Sequence, residues 1–260
     1  MKAIILAAGM GNRFGKYTEG RPKCLLEVGG ISILERQIRT FRRFGINDIV
    51  VIKGFAADQI NFEGVRYYVD EKHCYNMVYT LFCAEPELEG DIIISYADIL
   101  FEDQVLKALI DAPSCDVAVI VDTLWEEYYR ERFEKPFEEA ESLVCDENGY
   151  IRNIGETRPE PVNVQGQYIG LIRLSGNGSE IFRREYNLAK AKFWDKIWLR
   201  GRLFQKIYMT DFLQALIDQD VSVCAVPVQH GWLEFDNIVD YEKVLEWYKK
   251  GTISRLCSLQ

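Results

Sequence analysis

The chain has 260 residues, 48% hydrophobic and 27% charged, so it can form one large domain or two small domains with a sizeable core. Its formal net charge of −9 argues against nucleic acid as a partner, because an acidic surface repels a phosphate backbone. No run of 18 apolar residues is present, and the sequence therefore predicts no membrane span.

Cysteine and histidine usage narrows the chemistry further. The seven cysteines are scattered without a CxxC pair, which favours free thiols in a reducing cytoplasm over a disulfide framework. The two histidines, His73 and His230, argue against a histidine-based zinc site, and the GxSxG elbow of serine hydrolases is absent. The apolar run at the N-terminus is short and leads into glycines, so it is interpreted as a strand and not as a signal peptide. We expect a cytoplasmic protein.

Strand and helix patterns alternate in the first half of the chain. Nearly continuous apolar strands separated by helices are typical of a mostly parallel sheet that is covered on both faces. The predicted strands are residues 2–9, 48–54, 65–70, 90–98 and 115–123. The predicted helices are residues 32–45, 76–88 and 102–112, the first with Ser32 as its N-cap and Gly45 as its C-cap.

The second half is less regular. The pattern predicts a hairpin over 139–156 that turns at 147–149. It also predicts strands at 166–175 and 221–228, an extended segment at 231–236, a mainly helical stretch at 176–218 and a closing helix at 239–250. The expected fold class is α/β: a Rossmann-like, mostly parallel sheet flanked by helices, with a small β-rich lobe.

A glycine-rich stretch, "LAAGMGNRFGKYTEGRPK" at residues 6–23, follows the first strand and is expected to form a turn that opens a helix, a setting suited to phosphate. The dinucleotide fingerprint fails because Phe14 occupies its third glycine position. The P-loop pattern fails because its glycine spacing is wrong and Tyr17 follows Lys16. A plain strand–helix turn would explain the glycines, but not Arg13 together with the pair Pro22–Lys23.

What remains is L-A-A-G-x-G-x-R-F followed by R-P-K, and it resembles the signature of the sugar-1-phosphate nucleotidyltransferase superfamily, with a similarity that extends along most of the chain. Within that superfamily, "NMVYTL" at 76–81 is similar to the Asn–x–x–Tyr–Ser/Thr–Leu segment of phosphocholine cytidylyltransferase-type enzymes. The resemblance implies the nucleotidyltransferase fold and favours CTP over UTP or dTTP.

The expected nucleotide site combines backbone and side-chain groups. Small residues let backbone N–H groups approach a triphosphate. The resemblance implies two catalytic residues: Arg13, which holds the leaving phosphates, and Lys23, which stabilises the α-phosphate. Asn76 has an alternative role as a helix cap. The expected nucleotide-binding residues are Leu6, Ala7, Ala8, Gly9, Gly11, Asn12, Arg13, Asn76, Thr80 and Ala97.

Carboxylates at two places suit a magnesium ion. Asp98 closes a central strand at its carboxyl end, where ligands of α/β sheets bind, and the resemblance implies a metal ligand there; the alternative is an acid that caps the next loop. Glu234 and Asp236 alternate along an extended segment, so both can face one side. The choice between them stays open, with a slight preference for Asp236. Two carboxylates with phosphate oxygens and water suit Mg²⁺. Asp240 is interpreted as an acid favouring the helix dipole.

The acceptor site is expected in the second half. "GETRPEP" resembles the Glu–Lys–Pro segment of sugar-phosphate enzymes, and the resemblance implies acceptor contacts from Glu156, Arg158, Tyr168 and Gly170. An aromatic set also raises the idea of a cation–π box for choline, although such residues more often serve packing. That set is Tyr128, Tyr129, Phe133, Trp194, Trp198 and Trp232. The Glu- and Arg-rich residues 122–141 look more like relatives that activate phosphorylated amino acids.

The sequence thus predicts an Mg²⁺-dependent cytidylyltransferase whose partners are CTP and a phosphorylated small molecule such as phosphocholine or a phospho-amino acid. An acceptor that is already a phosphate needs no strong general base, since its second pKa is near 6. One alternative is a sugar-1-phosphate nucleotidyltransferase using dTTP or UTP, and another is a non-catalytic nucleotide-sensing subunit. We expect a monomer or homodimer with no nucleic acid and no membrane as partner.

The predicted organisation is one nucleotidyltransferase domain over residues 1–250, followed by a tail at 251–260. Within that domain, residues 1–122 are expected to form the nucleotide-binding core. Residues 123–236 are expected to hold the acceptor lobe and the metal site, and residues 237–250 the closing helix.

Overall fold

The computed structural model describes residues 1–72 and 75–259, and His73 and Cys74, which were weighed above, lie outside the described residues. The strands in chain order are β1 (Lys2–Ala7), β2 (Glu27–Val28), β3 (Ile31–Ser32), β4 (Ile49–Lys53), β5 (Val65–Val69), β6 (Ile92–Tyr96), β7 (Ile99–Phe101), β8 (Val117–Asp122), β9 (Glu141–Cys145), β10 (Ile151–Thr157), β11 (Gln167–Leu174), β12 (Val223–Val228) and β13 (Trp232–Glu234). The helices are α1 (Ile33–Arg43), α2 (Met77–Phe82), α3 (Asp103–Ile110), α4 (Trp125–Arg132), α5 (Pro136–Glu139), α6 (Gly176–Phe193), α7 (Met209–Ile217) and α8 (Ile238–Lys250).

A seven-stranded sheet with the order β12-β8-β11-β6-β1-β4-β5 forms the centre of the molecule. Its neighbours are parallel except for β11, which runs antiparallel to both β6 and β8. Alternate residues of each strand enter different cores: Ile5 and Val51 pack with α1, α3 and α8, whereas Ile4 and Val50 pack with α2, α6 and α7. The predicted mostly parallel, two-sided sheet is therefore confirmed.

The carboxyl ends of the parallel strands gather several segments at one edge of the sheet. The glycine-rich loop leaves β1 there, and Asp98 follows β6. The short strand β13 pairs antiparallel with β7, with Glu234 opposite Ile99. The backbone N–H of Phe235 donates to the carbonyl of Asp98 at 3.0 Å. This pairing brings the predicted carboxylates of the second half next to Asp98.

A separate hairpin of β9 and β10 forms the small lobe beside α7. The helix α8 ends at Gly251, whose φ of 71° suits a glycine C-cap. The segment expected to be a tail then packs back on the fold: Cys257 is buried, and the carbonyl of Leu256 accepts from the N–H of Gly231 at 2.7 Å.

Several local expectations were wrong. Residues 6–23 open no α-helix; a 3-10 segment, Asn12–Tyr17, follows the loop and is broken at Gly15, whose backbone is not helical. Helix α2 stops before the predicted end because Pro86 clashes with the carbonyl four residues earlier. Helices α4 and α5 were not expected. The stretch at 176–218 is mainly helical as predicted, with α6 and α7 separated by residues 194–208. Among the described helices, none combines the length and apolarity that a membrane crossing needs.

Candidate active site

Lys23 and Asp98 meet at the edge of the sheet where β1 and β6 end. The Lys23 Nζ donates to Asp98 Oδ2 at 2.8 Å, and only 9% of Lys23 is exposed. Pro22 precedes it in extended backbone, and the ammonium lies 5.2 Å from the centre of the Phe14 ring. A partly desolvated cation and anion thus form one charged pair in the predicted cleft.

The second oxygen of Asp98 stands out. Oδ1 is buried and makes no hydrogen bond to the described residues. Buried carboxylate oxygens are usually satisfied, so an unpaired one in a cleft fits a site for a further ligand such as a cation. The interpretation of Asp98 as a loop cap leaves this oxygen unexplained.

The glycine-rich loop folds tightly against Lys23. Gly11 has a φ of 70°, and a Cβ there would lie 3.0 Å from the Cβ of Lys23 and 2.9 Å from the Cγ2 of Thr18. The Thr18 hydroxyl donates to the Gly11 carbonyl at 2.7 Å and closes the loop. A Cβ on Gly9, in contrast, would meet open space. Gly11 therefore serves the loop's own packing, and Gly9 leaves room over the strand end.

Arg132 at the end of α4 gathers the carboxylates of the second half. Its side chain is 2% exposed and donates to Glu234 Oε2 at 2.8 Å and Asp236 Oδ2 at 2.7 Å. It also reaches Asp240 Oδ2 at 3.1 Å. Arg13 lies on the other side of Asp236, with Nη2 at 3.5 Å from Oδ1. Asp240, expected only as a dipole acid, is a buried partner of this arginine.

The pKa values of the two candidate metal ligands in this segment shift in opposite directions. Burial and the neighbouring Asp236 raise the pKa of Glu234 to about 8 despite Arg132. Burial also opposes ionisation of Asp236, but Arg132 and Lys23 outweigh it and hold the pKa of Asp236 below its ordinary value. Of the two carboxyls, Asp236 is the one whose surroundings favour its charged form.

A metal site made by protein groups alone is not present in residues 1–72 and 75–259, where no three His, Cys, Asp or Glu side chains are close enough to hold an ion. Magnesium, however, is usually held by one or two carboxylates together with substrate phosphates and water. An all-oxygen set with the unpaired Asp98 Oδ1 fits that pattern. The prediction of two protein carboxylates is compatible with the fold.

A cavity of about 160 Å³ joins several predicted nucleotide residues to Asp98. Its lining is Leu6, Ala8, Gly9, Tyr75, Asn76, Met77, Thr80, Tyr96 and Asp98. Ala7 and Ala97 line an adjoining pocket with Lys23, whereas Asn12 and Arg13 are exposed on the loop.

Two of these residues also hold the cavity wall together. Asn76 caps α2, its Oδ1 accepting from the Met77 N–H at 2.8 Å, as the alternative interpretation expected. The Thr80 hydroxyl donates to Asp70 at 2.7 Å. Their contact with a nucleotide stays a prediction.

The predicted acceptor residues divide into two pairs. On β11, Gly170 has a φ of +87°, and a Cβ there would lie 2.5 Å from the ring of Tyr96. The ring of Tyr168 meets Tyr96 edge to face at 5.9 Å, so this pair supports the cleft wall. Glu156 and Arg158 lie exposed at the end of β10, where Glu156 accepts from Asn153 at 2.9 Å.

The aromatic residues considered as a choline box pack in different places, and the packing interpretation is confirmed. Tyr128, Tyr129 and Phe133 surround the guanidinium of Arg132, with Phe133 at 4.7 Å. Trp232 packs on Tyr128 at 5.2 Å. Trp194 and Trp198 instead pack against Phe204. The cation that Tyr128, Tyr129 and Phe133 surround is therefore the guanidinium of Arg132.

The sequence interpretation missed Arg132. The available signal was an arginine inside the aromatic run "WEEYYRERF", since an arginine buried among rings must find acidic partners elsewhere. It also missed Glu141, Arg200 and Arg202 in the lobe, which have no local motif.

Comparison with known proteins places the chain among nucleotidyl-transferring enzymes. The model of the MobA-like NTP transferase domain family matches residues 3–144. A CTP:phosphoglutamine cytidylyltransferase of Campylobacter jejuni is 34% identical over 259 residues, covering 95% of this chain and 100% of that protein. A choline-phosphate cytidylyltransferase of Streptococcus pneumoniae is 38% identical over 108 residues, covering 40% of this chain and 47% of that protein.

Solved structures share the fold. A CTP:phosphocholine cytidylyltransferase from Streptococcus pneumoniae superposes with a TM-score of 0.71 at 22% identity, covering 94% of this chain and 97% of that one. An inositol-1-phosphate CTP transferase from T. maritima gives 0.72 at 18% identity, covering 99% and 98%.

Proposed function

Because the chain belongs to the MobA-like NTP transferase family, we propose that it transfers CMP from CTP to the phosphate group of a small metabolite in an Mg²⁺-dependent reaction. The observation that carries this proposal is the pair of Lys23 and Asp98, 2.8 Å apart beside the glycine-rich loop, with one Asp98 oxygen unpaired. This pair supports the proposal because it sets a cation and a carboxylate with an unpaired oxygen beside the loop that is proposed to bind the triphosphate.

The reaction is an in-line displacement at the α-phosphorus. An acceptor phosphate oxygen forms a bond to that phosphorus, the bond to the oxygen that bridges to the β-phosphorus breaks, and pyrophosphate leaves. Lys23 stabilises the charge on the α-phosphate, while Arg13 and the loop N–H groups bind the leaving phosphates. No side chain has to remove a proton, because the acceptor phosphate is already ionised.

Asp98 and Asp236 are the proposed metal ligands. Arg132 binds one oxygen of each carboxylate of its segment, Glu234 Oε2 at 2.8 Å and Asp236 Oδ2 at 2.7 Å. Asp236 is also 3.5 Å from Arg13 of the glycine-rich loop, which favours it over Glu234. When bound, Mg²⁺ would neutralise charge on the phosphate oxygens of the nucleotide. We expect these carboxylates to bind it together with those oxygens, since the described residues offer no three-ligand cluster.

The acceptor is proposed to be phosphoglutamine or a similar small phosphate. The phosphoglutamine enzyme matches this chain through the lobe at 123–236, whereas the choline-phosphate enzyme matches only 40% of the chain. The predicted acceptor residues, at the end of β10 and on β11, all fall within residues 123–236, so the relative whose sequence match covers that range is the better guide to the acceptor.

The test is a panel of nucleotides and acceptors with the purified chain and Mg²⁺. CTP, UTP and dTTP are each combined with phosphoglutamine, phosphocholine, aminoethylphosphonate and sugar 1-phosphates, and pyrophosphate release and product mass are measured. We expect turnover with CTP and phosphoglutamine. Turnover only with UTP or dTTP and sugar phosphates would overturn the proposal, as would nucleotide binding without any turnover.

A further inference from the structure

A cluster of charged side chains lies in the lobe, one strand away from the nucleotide cleft. Glu141 begins β9 and pairs with Thr157 of β10, beside the predicted acceptor residues. Gln167, 3% exposed, donates from Nε2 to the Glu141 carbonyl at 2.7 Å and accepts the Glu141 N–H at 3.1 Å. The next residue, Tyr168, packs on Tyr96 in the cleft wall. Glu141 is thus tied to the wall of the cleft.

Two arginines form the other side of the cluster. Arg200 and Arg202 each donate to Asp211 Oδ1, at 3.2 Å and 3.0 Å, and the Asp211 side chain is fully buried. Arg200 also donates to the Gly155 carbonyl at 2.7 Å. Both arginine side chains remain 25% exposed. Arg200 is also held by the Ile154 carbonyl at 2.7 Å, whereas the bonds from Arg202 to Asp211 use only Nη1. The Nε–Nη2 edge of Arg202 can therefore bind a further carboxylate.

Glu141 is the matching negative charge. Its carboxyl accepts from the Thr210 hydroxyl, and no salt bridge involves it in the part of the chain that the structure describes. Burial raises its pKa, and Arg200 and Arg202 oppose the rise at longer range. Thr210 is packed against Gly155, where a Cβ would lie 2.5 Å from the Thr210 Cβ, so these groups hold one another in place.

The segment that carries the arginines also borders the cleft. The N–H of Asn76 donates to the carbonyl of Gln205 at 3.0 Å, and its Nδ2 donates to the carbonyl of Lys206 at 3.3 Å. Asn76 lines the nucleotide cavity. The cluster is therefore connected to the cleft through β11 on one side and through residues 200–206 on the other.

We propose that Glu141, Arg200 and Arg202 bind the zwitterionic head of a phosphorylated α-amino acid, with Glu141 on the ammonium group and the arginines on the carboxylate. The Nε–Nη2 edge of Arg202 and the carboxylate of Glu141 complement one carboxylate and one ammonium, and arginine suits a carboxylate through paired hydrogen bonds. Phosphocholine offers only a cation, and sugar phosphates offer neither group. This assignment rests on the proposed function and names the residues that recognise the head group of its acceptor.

The experiment compares three acceptors: phosphoglutamine, its analogue without the α-ammonium group, and its analogue without the α-carboxylate. In the wild-type chain we expect the lowest KM for phosphoglutamine. Glu141→Gln should raise the KM for phosphoglutamine about tenfold or more, because the amide keeps an acceptor oxygen but loses the negative charge that strengthens the bond to the ammonium group. The same variant should leave the KM for CTP and for the deamino analogue unchanged.

Arg202→Gln should raise the KM for phosphoglutamine and leave the KM for the decarboxy analogue unchanged, because that analogue lacks the carboxylate that Arg202 binds. Arg202→Lys keeps the charge and should restore part of the affinity. Glu147→Gln and Arg152→Gln, near the hairpin turn, are the matched controls and should behave as wild type. Circular dichroism and thermal unfolding check that each variant is folded; if Arg202→Gln fails to fold, the isosteric Glu141→Gln decides.

Equal KM shifts for all three acceptors, or no shift in either variant, would overturn the subsite. That failure differs from a failure of the proposed function. Absence of pyrophosphate release by the wild-type chain with CTP and phosphoglutamine would overturn the proposed acceptor before any variant is compared. If the wild-type chain turns over CTP and phosphoglutamine but the variants shift the KM of all three acceptors equally, only the proposed subsite is disproved.

Discussion

In residues 1–122 the candidate site residues follow directly from strand ends: the glycine-rich loop leaves β1, and Asp98 follows β6. In the second half the charged groups come from separate segments that meet only through long-range contacts. Arg132 joins α4 to Asp236 and Asp240, and Arg200 joins the 194–208 segment to α7 and to β10. A parallel sheet brings its strand ends together by its topology, whereas the lobe needs ion pairs to hold its charges.

The sharpest test of the first half is the Lys23–Asp98 pair. Lys23→Ala and Asp98→Asn should each lower kcat/KM by about a thousandfold, because each removes charge stabilisation at the transferred phosphorus. Pyrophosphate release measures the rate, and circular dichroism checks the fold. Lys16→Ala is the control, since this lysine is exposed and 3.8 Å from Glu242. Near-wild-type release from either site variant would show that the strand ends do not form the site.

A substitution of Arg132 tests whether ion pairs hold the charged groups of the second half together. Arg132→Met should lower the free energy of unfolding by about 3–5 kcal/mol, because carboxylates buried around it lose their cation. Urea unfolding provides the measurement. Arg130→Met, on the same helix, removes an exposed pair with Glu126 and should change stability by less than about 1 kcal/mol. Equal losses in the two variants would contradict a special role for Arg132.

At the edge of the sheet opposite the site, the Glu87 carboxylate links Lys2 of β1 to Arg66 of β5. The pH dependence of stability tests this link. Burial opposes ionisation of the carboxylate, but hydrogen bonds from Arg66, Lys2 and Tyr68 outweigh it and lower the pKa of Glu87 to about 2. Because this pKa lies below the unfolded value near 4.5, the stabilisation is complete above pH 4.5 and is lost as the pH falls toward 2.

The free energy of unfolding of the wild type should therefore be about 3 kcal/mol larger than that of Glu87→Gln at neutral pH. This difference should shrink as the pH falls from 4.5 toward 2. Urea unfolding at a series of pH values measures it. Glu89→Gln, whose side chain is 71% exposed beside Arg183, should show no such pH-dependent difference. A constant gap between wild type and Glu87→Gln would disprove the ionic origin.

The smallest effect concerns Asn76, where the two halves touch. Asn76→Ala should lower stability by about 1 kcal/mol through the lost cap, and should also raise the KM for CTP because Asn76 lines the cavity. Ser32→Ala, which removes the N-cap of α1, should lose similar stability without a change in that KM. An unchanged KM in Asn76→Ala would restrict this residue to capping.

The sequence indicated most of the first half because the relevant signals are local. Apolar runs predicted the strands, and Phe14 together with the glycine spacing and Tyr17 eliminated two phosphate-binding templates. Asp98 was found by its position after a strand. Pattern reasoning failed where a local break intervened: Gly15 prevents a continuous helix in the loop region, and Pro86 ends α2 early.

By itself, the sequence determined the parallel sheet, the loop after its first strand and the carboxylate after its central strand, because strand periodicity and strand ends are properties of short segments. The partners of Arg132 and the grouping of Glu141 with Arg200 and Arg202 were decided only by the tertiary structure. These residues are far apart in the chain, and a buried charge is stabilised only by whichever opposite charges the folded chain brings beside it.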